Sequence, residues 1–209
     1  GLTVTGVQTC ALPIYTVRVD TDAGIHGLGE VGISNWGRAI ANAVDHLGEL
    51  VIGADPWDTE KLWQEMFRSG YFPADKVYCC AISAIDIALW DIKGKSVNLP
   101  TYKLLGGQVR EKVVCYPHIK GTNKQQIVEG SKKAVDEGWK FVRWGQPDPW
   151  GSFEPGGISI IEPDKSMRLA VELMGEVREA VGPDIQMCFD VHTQLELPQV
   201  VRMCKLMEE

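Results

Sequence analysis

The chain has 209 residues, 44% hydrophobic and 23% charged, with a formal net charge of −7. This is the composition of a globular protein of one or two domains, and it offers no basic patch to nucleic acid or an anionic membrane surface. No apolar run reaches the roughly 20 residues of a membrane span, and no charged-then-apolar signal segment opens the chain.

The six cysteines show no framework spacing, and Cys79 and Cys80 are adjacent. Buried reduced thiols in a cytoplasmic protein are therefore expected. Residues 1–14 are set aside from fold reasoning, because Val4 to Ile14 resembles the translation of a sequencing-library adapter. A non-native segment is expected there, with native sequence starting near Tyr15.

Tyr15 to Asp20 alternates apolar and polar residues, Thr21-Asp22-Ala23-Gly24 is turn chemistry, and Ile25 to Val31 is a glycine-rich strand. Together they predict a β-hairpin. Gly37 to Val51 carries Ile40, Val44, Leu47 and Val51 at helical spacing. Asp58 is placed as the N-cap of a helix through Arg68. The strongest stripe is Ala81, Ile85, Ala88 and Ile92, widened by Ile82 and Leu89. It predicts a helix from Lys76 to Lys93 that Gly94 stops. Tyr102 to Leu105 forms a short helical turn before Gly106-Gly107.

The pattern then changes to strand–helix alternation. Strand 113–119 precedes helix 124–137, which ends at Gly138, and strand 139–144 follows. After a long loop over 146–163, Asp164 caps a helix through Val181, strand 185–190 follows, and Pro198 opens a last helix. Three strand–helix units imply a parallel sheet, either doubly wound or a barrel. No glycine-rich phosphate loop follows any of these strands, which weakens a dinucleotide reading. The fold class is thus α/β: an α+β segment over residues 15–111, then strand–helix units over 112–209.

The last strand reads Met187-Cys188-Phe189-Asp190-Val191-His192. Strand alternation puts Asp190 and His192 on one face. A carboxylate beside an imidazole at a strand's C-terminal end suits a metal ligand next to a proton donor or acceptor; it also suits a strand that simply ends in polar residues.

Ala81-Ile82-Ser83-Ala84-Ile85-Asp86-Ile87-Ala88-Leu89-Trp90-Asp91-Ile92-Lys93-Gly94-Lys95, followed by Tyr102-Lys103-Leu104-Leu105-Gly106-Gly107, resembles the capping-domain signature of the enolase superfamily. The nearest branch is that of mandelate racemase and muconate-lactonizing enzymes. Gly27-Leu28-Gly29-Glu30 and Ile52-Gly53-Ala54-Asp55-Pro56 resemble further capping elements. The resemblance implies a capping domain followed by the first three units of a (β/α)8-type barrel, with chemistry at the C-terminal ends of the strands. Asp86, Asp91 and Glu30 are read as organisers of the cap.

On that pattern Asp190 matches the first of three acidic Mg2+ ligands, and His192 is assigned to proton transfer. The other two ligands and a base would lie beyond Glu209, so the 209-residue chain alone is expected to be inactive. Racemases of this branch carry a Lys-x-Lys pattern where this chain reads Arg143-Trp144-Gly145. The resemblance therefore leans to sugar-acid dehydratases of the galactonate or mannonate kind, which convert a sugar acid to a 2-keto-3-deoxy acid through an enediolate. A racemase, a cycloisomerase or a noncatalytic member are the alternatives. Arg143 is read as neutralising a substrate carboxylate or as forming a barrel-interior salt bridge. His118 is read as approaching substrate or as a structural histidine. Trp36 and Tyr71, in the cap loops, are the candidate specificity residues. The expected partner is a small sugar acid, with no nucleic acid or membrane partner and with homo-oligomer assembly of the full-length protein.

Overall fold

The computed structural model describes residues 1–11, 15–32, 36–145, 163–192 and 195–208. The chain divides into two compact units, Gly1–Glu111 and Lys112–Glu209.

In the first unit, β1 (Val4–Ala11), β2 (Tyr15–Thr21) and β3 (His26–Val31) form an antiparallel sheet in the order β1-β2-β3. Three helices pack with it: α1 (Gly37–Val51), α2 (Thr59–Phe67) and α3 (Lys76–Ser96). The short α4 (Thr101–Leu104) follows. The core joins Val17 and Val19 of β2 to Ile40, Val44, Leu47 and Val51 of α1, Leu62 and Met66 of α2, and the α3 stripe. The stripe residues Ala81, Ile82, Ile85, Ala88, Leu89 and Ile92 are all buried.

α3 lies directly on β3. A Cβ on Gly27 would stand 1.9 Å from the Ala88 carbonyl oxygen, and one on Gly29 would stand 1.8 Å from that of Ala84. Only glycine admits a helix backbone at that distance. Asp91, read as an organiser, holds the same contact. Its Oδ2 accepts from the Leu28 N–H at 2.9 Å and from Lys95 Nζ at 2.6 Å. Lys93 is buried, donating to Thr59 Oγ1 at 2.8 Å with its ammonium 4.5 Å from the centre of the Trp90 ring. Burial lowers its pKa.

Within the segment set aside on sequence, Val4–Ala11 pairs with β2 and Val4 is buried. A short alternating segment, whatever its origin, finds partners on the open edge of a strand. Gly94 does not stop α3, which runs on to Ser96. Its bare Cα is instead a close-packing device, because a Cβ there would meet the Leu99 oxygen at 2.7 Å. The chain turns back at Asn98, whose φ is 54°. Asp58 is the N-cap residue of α2, as expected, though its side chain makes no capping bond; Asp75 caps α3 by accepting from the N–H groups of Val77 and Tyr78 at 3.1 and 3.2 Å. Among the described side chains the cysteines are free but none is fully buried: Cys79, Cys115, Cys188 and Cys204 are exposed and Cys80 is partly buried.

The second unit carries α5 (Lys124–Asp136), β4 (Phe141–Gly145), α6 (Pro163–Val181), β5 (Gln186–Asp190) and α7 (Leu197–Glu208). β4 and β5 run parallel, with Arg143 opposite Cys188 and Gly145 opposite Asp190. Val142 and Trp144 pack with Ile127 and Ala134 of α5 and with Leu173 and Val177 of α6. The opposite face carries Phe141, Arg143 and Gly145 of β4 with Gln186, Cys188 and Asp190 of β5, by strand alternation and register. Exposure of Cys188 follows from its place on that face.

Segment 113–119 is not a strand. It makes one isolated parallel bridge, His118 to Arg143. The Ile119 N–H donates to the Arg143 oxygen at 2.8 Å, and the Arg143 N–H donates to the Pro117 oxygen at 3.3 Å. Pro117 has no N–H to extend the ladder, and Val113 and Val114 are exposed.

Two glycine substitutions should have opposite signs in urea unfolding. Gly29→Ala forces a methyl into the α3 backbone, and overpacking of this kind costs about 2 kcal/mol or more. Gly175→Ala, on exposed helix surface with nothing within 4 Å, should stabilise the second unit by about 0.5–1 kcal/mol. A Gly29→Ala chain as stable as the parent would contradict the packing described.

Candidate functional site

The parallel register sets the reactive end of the second unit. Arg143 and Gly145 share a face, and Asp190 lies opposite Gly145. The Arg143 side chain runs along that face and pairs with Asp190 Oδ2 through Nη2. Its Nη1 lies 3.0 Å from His118 Nδ1. A guanidinium only donates, so His118 Nδ1 accepts, and the ring proton sits on Nε2. The His118 pKa is lowered, first by burial and then by the neighbouring charge of Arg143, with smaller contributions from Lys120 and His192. Both effects favour the neutral ring that the hydrogen bond requires.

His192 reaches Asp190 by a route that strand alternation does not describe. β5 ends at Asp190, and His192 adopts the left-handed region with φ 49°. Its N–H donates to Asp190 Oδ1 at 3.0 Å, and its Nε2 lies 3.0 Å from Asp190 Oδ2. The side-chain-to-backbone bond is the kind that lets an aspartate hold a turn two residues on. A carboxylate only accepts, which places the proton of that contact on His192 Nε2. The His192 side chain is 61% exposed, against 20% for both Arg143 and Asp190. The ring is thus open to solvent on one side and in contact with the carboxylate on the other. A Cβ on Gly145 would make only ordinary van der Waals contact with the His192 ring, at 3.6 Å.

Four of the six residues singled out from sequence therefore meet in one cluster: His118, Arg143, Asp190 and His192. The other two belong to the first unit. Trp36 is exposed at the start of α1. Tyr71 is 96% exposed and stacks edge-to-face with Phe72 at 5.0 Å. It borders a groove lined by His46, Met66, Phe67 and Tyr78. Asn35, the neighbour of Trp36, lies outside the described residues, as do residues 146–162 with Trp150, Phe153, Gly156 and Gly157. Sequence reasoning missed Tyr116, whose ring centre lies 5.9 Å from the Arg143 guanidinium carbon. Its spacing of two from His118 was the available signal.

Asp190 is the residue of this cluster whose chemistry fits a hard divalent cation, since Mg2+ takes carboxylate oxygens. Among the described residues no group of three or more His, Cys, Asp or Glu side chains is placed to hold a metal ion. Among them, too, no helix is long and apolar enough to cross a membrane.

Comparison with known proteins places the chain in a family. The profile of the mandelate racemase / muconate lactonizing enzyme N-terminal domain matches residues 2–106. A D-galactonate dehydratase family member of Cellvibrio japonicus is 32% identical over 92% of this chain and 52% of its own length. A D-galactonate dehydratase of Pectobacterium atrosepticum is 32% identical over 98% of this chain and 52% of its own. Among solved structures, an enolase from Pantoea ananatis with bound D-gluconate and Mg is similar at TM-score 0.81 and 26% identity, covering 100% of this chain and 58% of that one. A member of the enolase superfamily from Salmonella Typhimurium is similar at TM-score 0.82 and 27% identity. The chain spans about half the length of the curated relatives it matches.

The lowered His118 pKa has a stability consequence with a definite sign. The folded unit favours the neutral ring, so its contribution is fully present above the unfolded pKa of about 6.5 and is lost as pH falls below it. Urea unfolding between pH 7.5 and 5 should show a steeper loss for the parent chain than for His118→Asn. Parallel pH profiles for the two would refute the neutral assignment.

Proposed function

The chain belongs to the mandelate racemase / muconate lactonizing enzyme family, and from that premise we propose that it is part of a Mg2+-dependent sugar-acid dehydratase. The proposed reaction converts a sugar acid to a 2-keto-3-deoxy acid. The proton α to the carboxylate is removed, the neighbouring hydroxyl leaves as water, and the resulting enol ketonises. The observation that carries the reading is the Asp190–His192 pair at the end of β5, with Arg143 beside it. The relatives named D-galactonate dehydratase support the choice of substrate class.

Each residue has a distinct task. Asp190 is the carboxylate ligand for Mg2+, which when bound supplies positive charge to the enediolate oxygens. His192 is the general acid that delivers a proton to the departing hydroxyl, since its ring is exposed and lies 3.0 Å from the Asp190 carboxylate. Arg143 neutralises the substrate carboxylate with a planar two-donor fork. It cannot serve as the base, because a guanidinium stays protonated. The racemase alternative needs a basic residue on this strand, and Gly145 stands where the second lysine of that pattern would be. The remaining ligands and the base are assigned to strands that the family plan places after Glu209. His118 orients Arg143, and Trp36 and Tyr71 are the specificity candidates of the cap. A homo-oligomer in the cytoplasm is the setting proposed for the whole protein.

The test is a sugar-acid library screened with the complete protein, reading out the 2-keto-3-deoxy product with and without chelator. In that protein His192→Ala should lower turnover by about 10²–10⁴ while Mg2+ still binds, and Asp190→Asn should weaken Mg2+ binding and lower turnover with it. Unchanged turnover in His192→Ala would remove the acid role. The 209-residue chain alone, holding one of the ligands, should give no product.

A further inference from the structure

We infer that the outer edge of β1 pairs antiparallel with the same edge of a second copy of this chain, joining two three-stranded sheets into one continuous sheet. The surface lies wholly in the first unit and does not depend on the reaction proposed above.

The two edges of the sheet differ. On β3 the Leu28 N–H donates to Asp91 Oδ2 at 2.9 Å, and the His26 carbonyl accepts from Lys95 Nζ at 2.8 Å. α3 thus occupies backbone groups of that edge with charged side chains, which prevents further pairing there. β1 is the opposite edge of the order β1-β2-β3. Its first residue is covered, since the Val4 N–H donates to the Ala54 oxygen at 3.0 Å and the Val4 carbonyl accepts from the Gly53 N–H at 2.9 Å. Among the described residues no backbone bond from outside the sheet covers Val7 or Thr9. Alternation shows which of their groups face out. His26 and Leu28 point their backbone groups away from β2, so their register partners Asp20 and Arg18 turn theirs toward β1. Gly6 and Gln8, opposite Asp20 and Arg18, therefore point inward, and Val7, Thr9 and Ala11 point their N–H and carbonyl groups outward.

A second copy is the occupant this edge fits. Turned about a two-fold axis at Thr9, the two strands set Thr9 opposite Thr9 and Val7 opposite Ala11, so every outward group from Val7 to Ala11 finds a partner. Such a contact is isologous and uses up both open edges at once. With β3 blocked by Asp91 and Lys95, the joined sheet offers no further edge and stops at a dimer. An unrelated extended peptide would leave its own outer edge open. Charge does not oppose the contact. Val4–Ala11 holds neither a charged residue nor a proline, the residues that blunt natural edges. The charged residues of β2 in register with it, Arg18 and Asp20, pair with each other at 2.8 Å.

The experiment is sedimentation equilibrium of the 209-residue chain over a range of concentrations, which should show a monomer–dimer equilibrium. Thr9→Pro removes an outward N–H and spares the bonds to β2, so it should leave a monomer with the circular dichroism of the parent. Gln8 is exposed, and Gln8→Lys and Gln8→Glu should each weaken the dimer about fivefold by setting like charges across the axis. An equimolar mixture of the two should recover it. In the parent, amide exchange at Val7 and Thr9 should slow as concentration rises, while that of Gln8, already bonded to β2, should not; this reading needs no variant to fold. A parent that stays monomeric overturns the inference, whether or not its edge captures a labelled strand peptide. So does a dimer or larger aggregate that Thr9→Pro and both Gln8 variants leave unchanged, or one in which the Val7 and Thr9 amides exchange at a rate independent of concentration.

Discussion

Asp190 ends β5 with a carboxylate that meets a guanidinium from β4 and both the backbone and the ring of His192. That meeting depends on register. Parallel pairing sets Gly145 opposite Asp190 and leaves Arg143 one pleat back on the same face. A slip of one residue would turn Arg143 toward Leu173 and Val177 and bring Trp144 out, burying a charge without a partner. The register is in turn held from the other face. Val142 and Trp144 are fully buried against α5 and α6, and no polar residue could replace them there cheaply. The hydrophobic face of β4 thus fixes the geometry of its chemical face.

The first unit is organised by a different constraint with a similar logic. The bare Cα atoms of Gly27 and Gly29 bring α3 into backbone contact with β3, and Asp91 locks the approach by accepting from Leu28 and Lys95. α3 is then surrounded, by the sheet on one side and by α1 and α2 on others. This explains why its apolar residues cover more than the single stripe of a surface helix.

Much of this was legible in the sequence because it is periodic. The α1 and α3 stripes were read residue for residue, since burial repeats at helical spacing. Asp190 was legible because an apolar run ended there in an acid. What escaped depends on contacts between distant segments. Gly94 reads locally as a stop, but its function is to clear the Leu99 carbonyl. Val113 and Val114 have strand propensity but find no ladder, since pairing is decided by the partner and by Pro117. The Asp190–His192 contact was expected from alternation and is reached through a left-handed turn instead. A salt bridge was one of the two readings of Arg143, but its partners, Asp190 and His118, could not be read, because they need the β4–β5 register and the bridge at His118 together. Tyr116 was missed for the same reason.

The identity of residue 143 carries a chemical consequence beyond its contacts. A lysine at such a position can lose its proton when buried and act as a base, and its ammonium presents a single point of charge. Arginine forgoes the first option and gains a planar fork with several donors. The structure uses that fork, with Nη1 on His118 and Nη2 on Asp190. Two of its donors are thus directed to separate acceptors at once, while its charge stays fixed. The imidazole of His192 stands exposed beside the same carboxylate. The make-up of this face follows from side-chain chemistry: a permanent cation on β4, a carboxylate at the end of β5, and an imidazole on the turn beyond it.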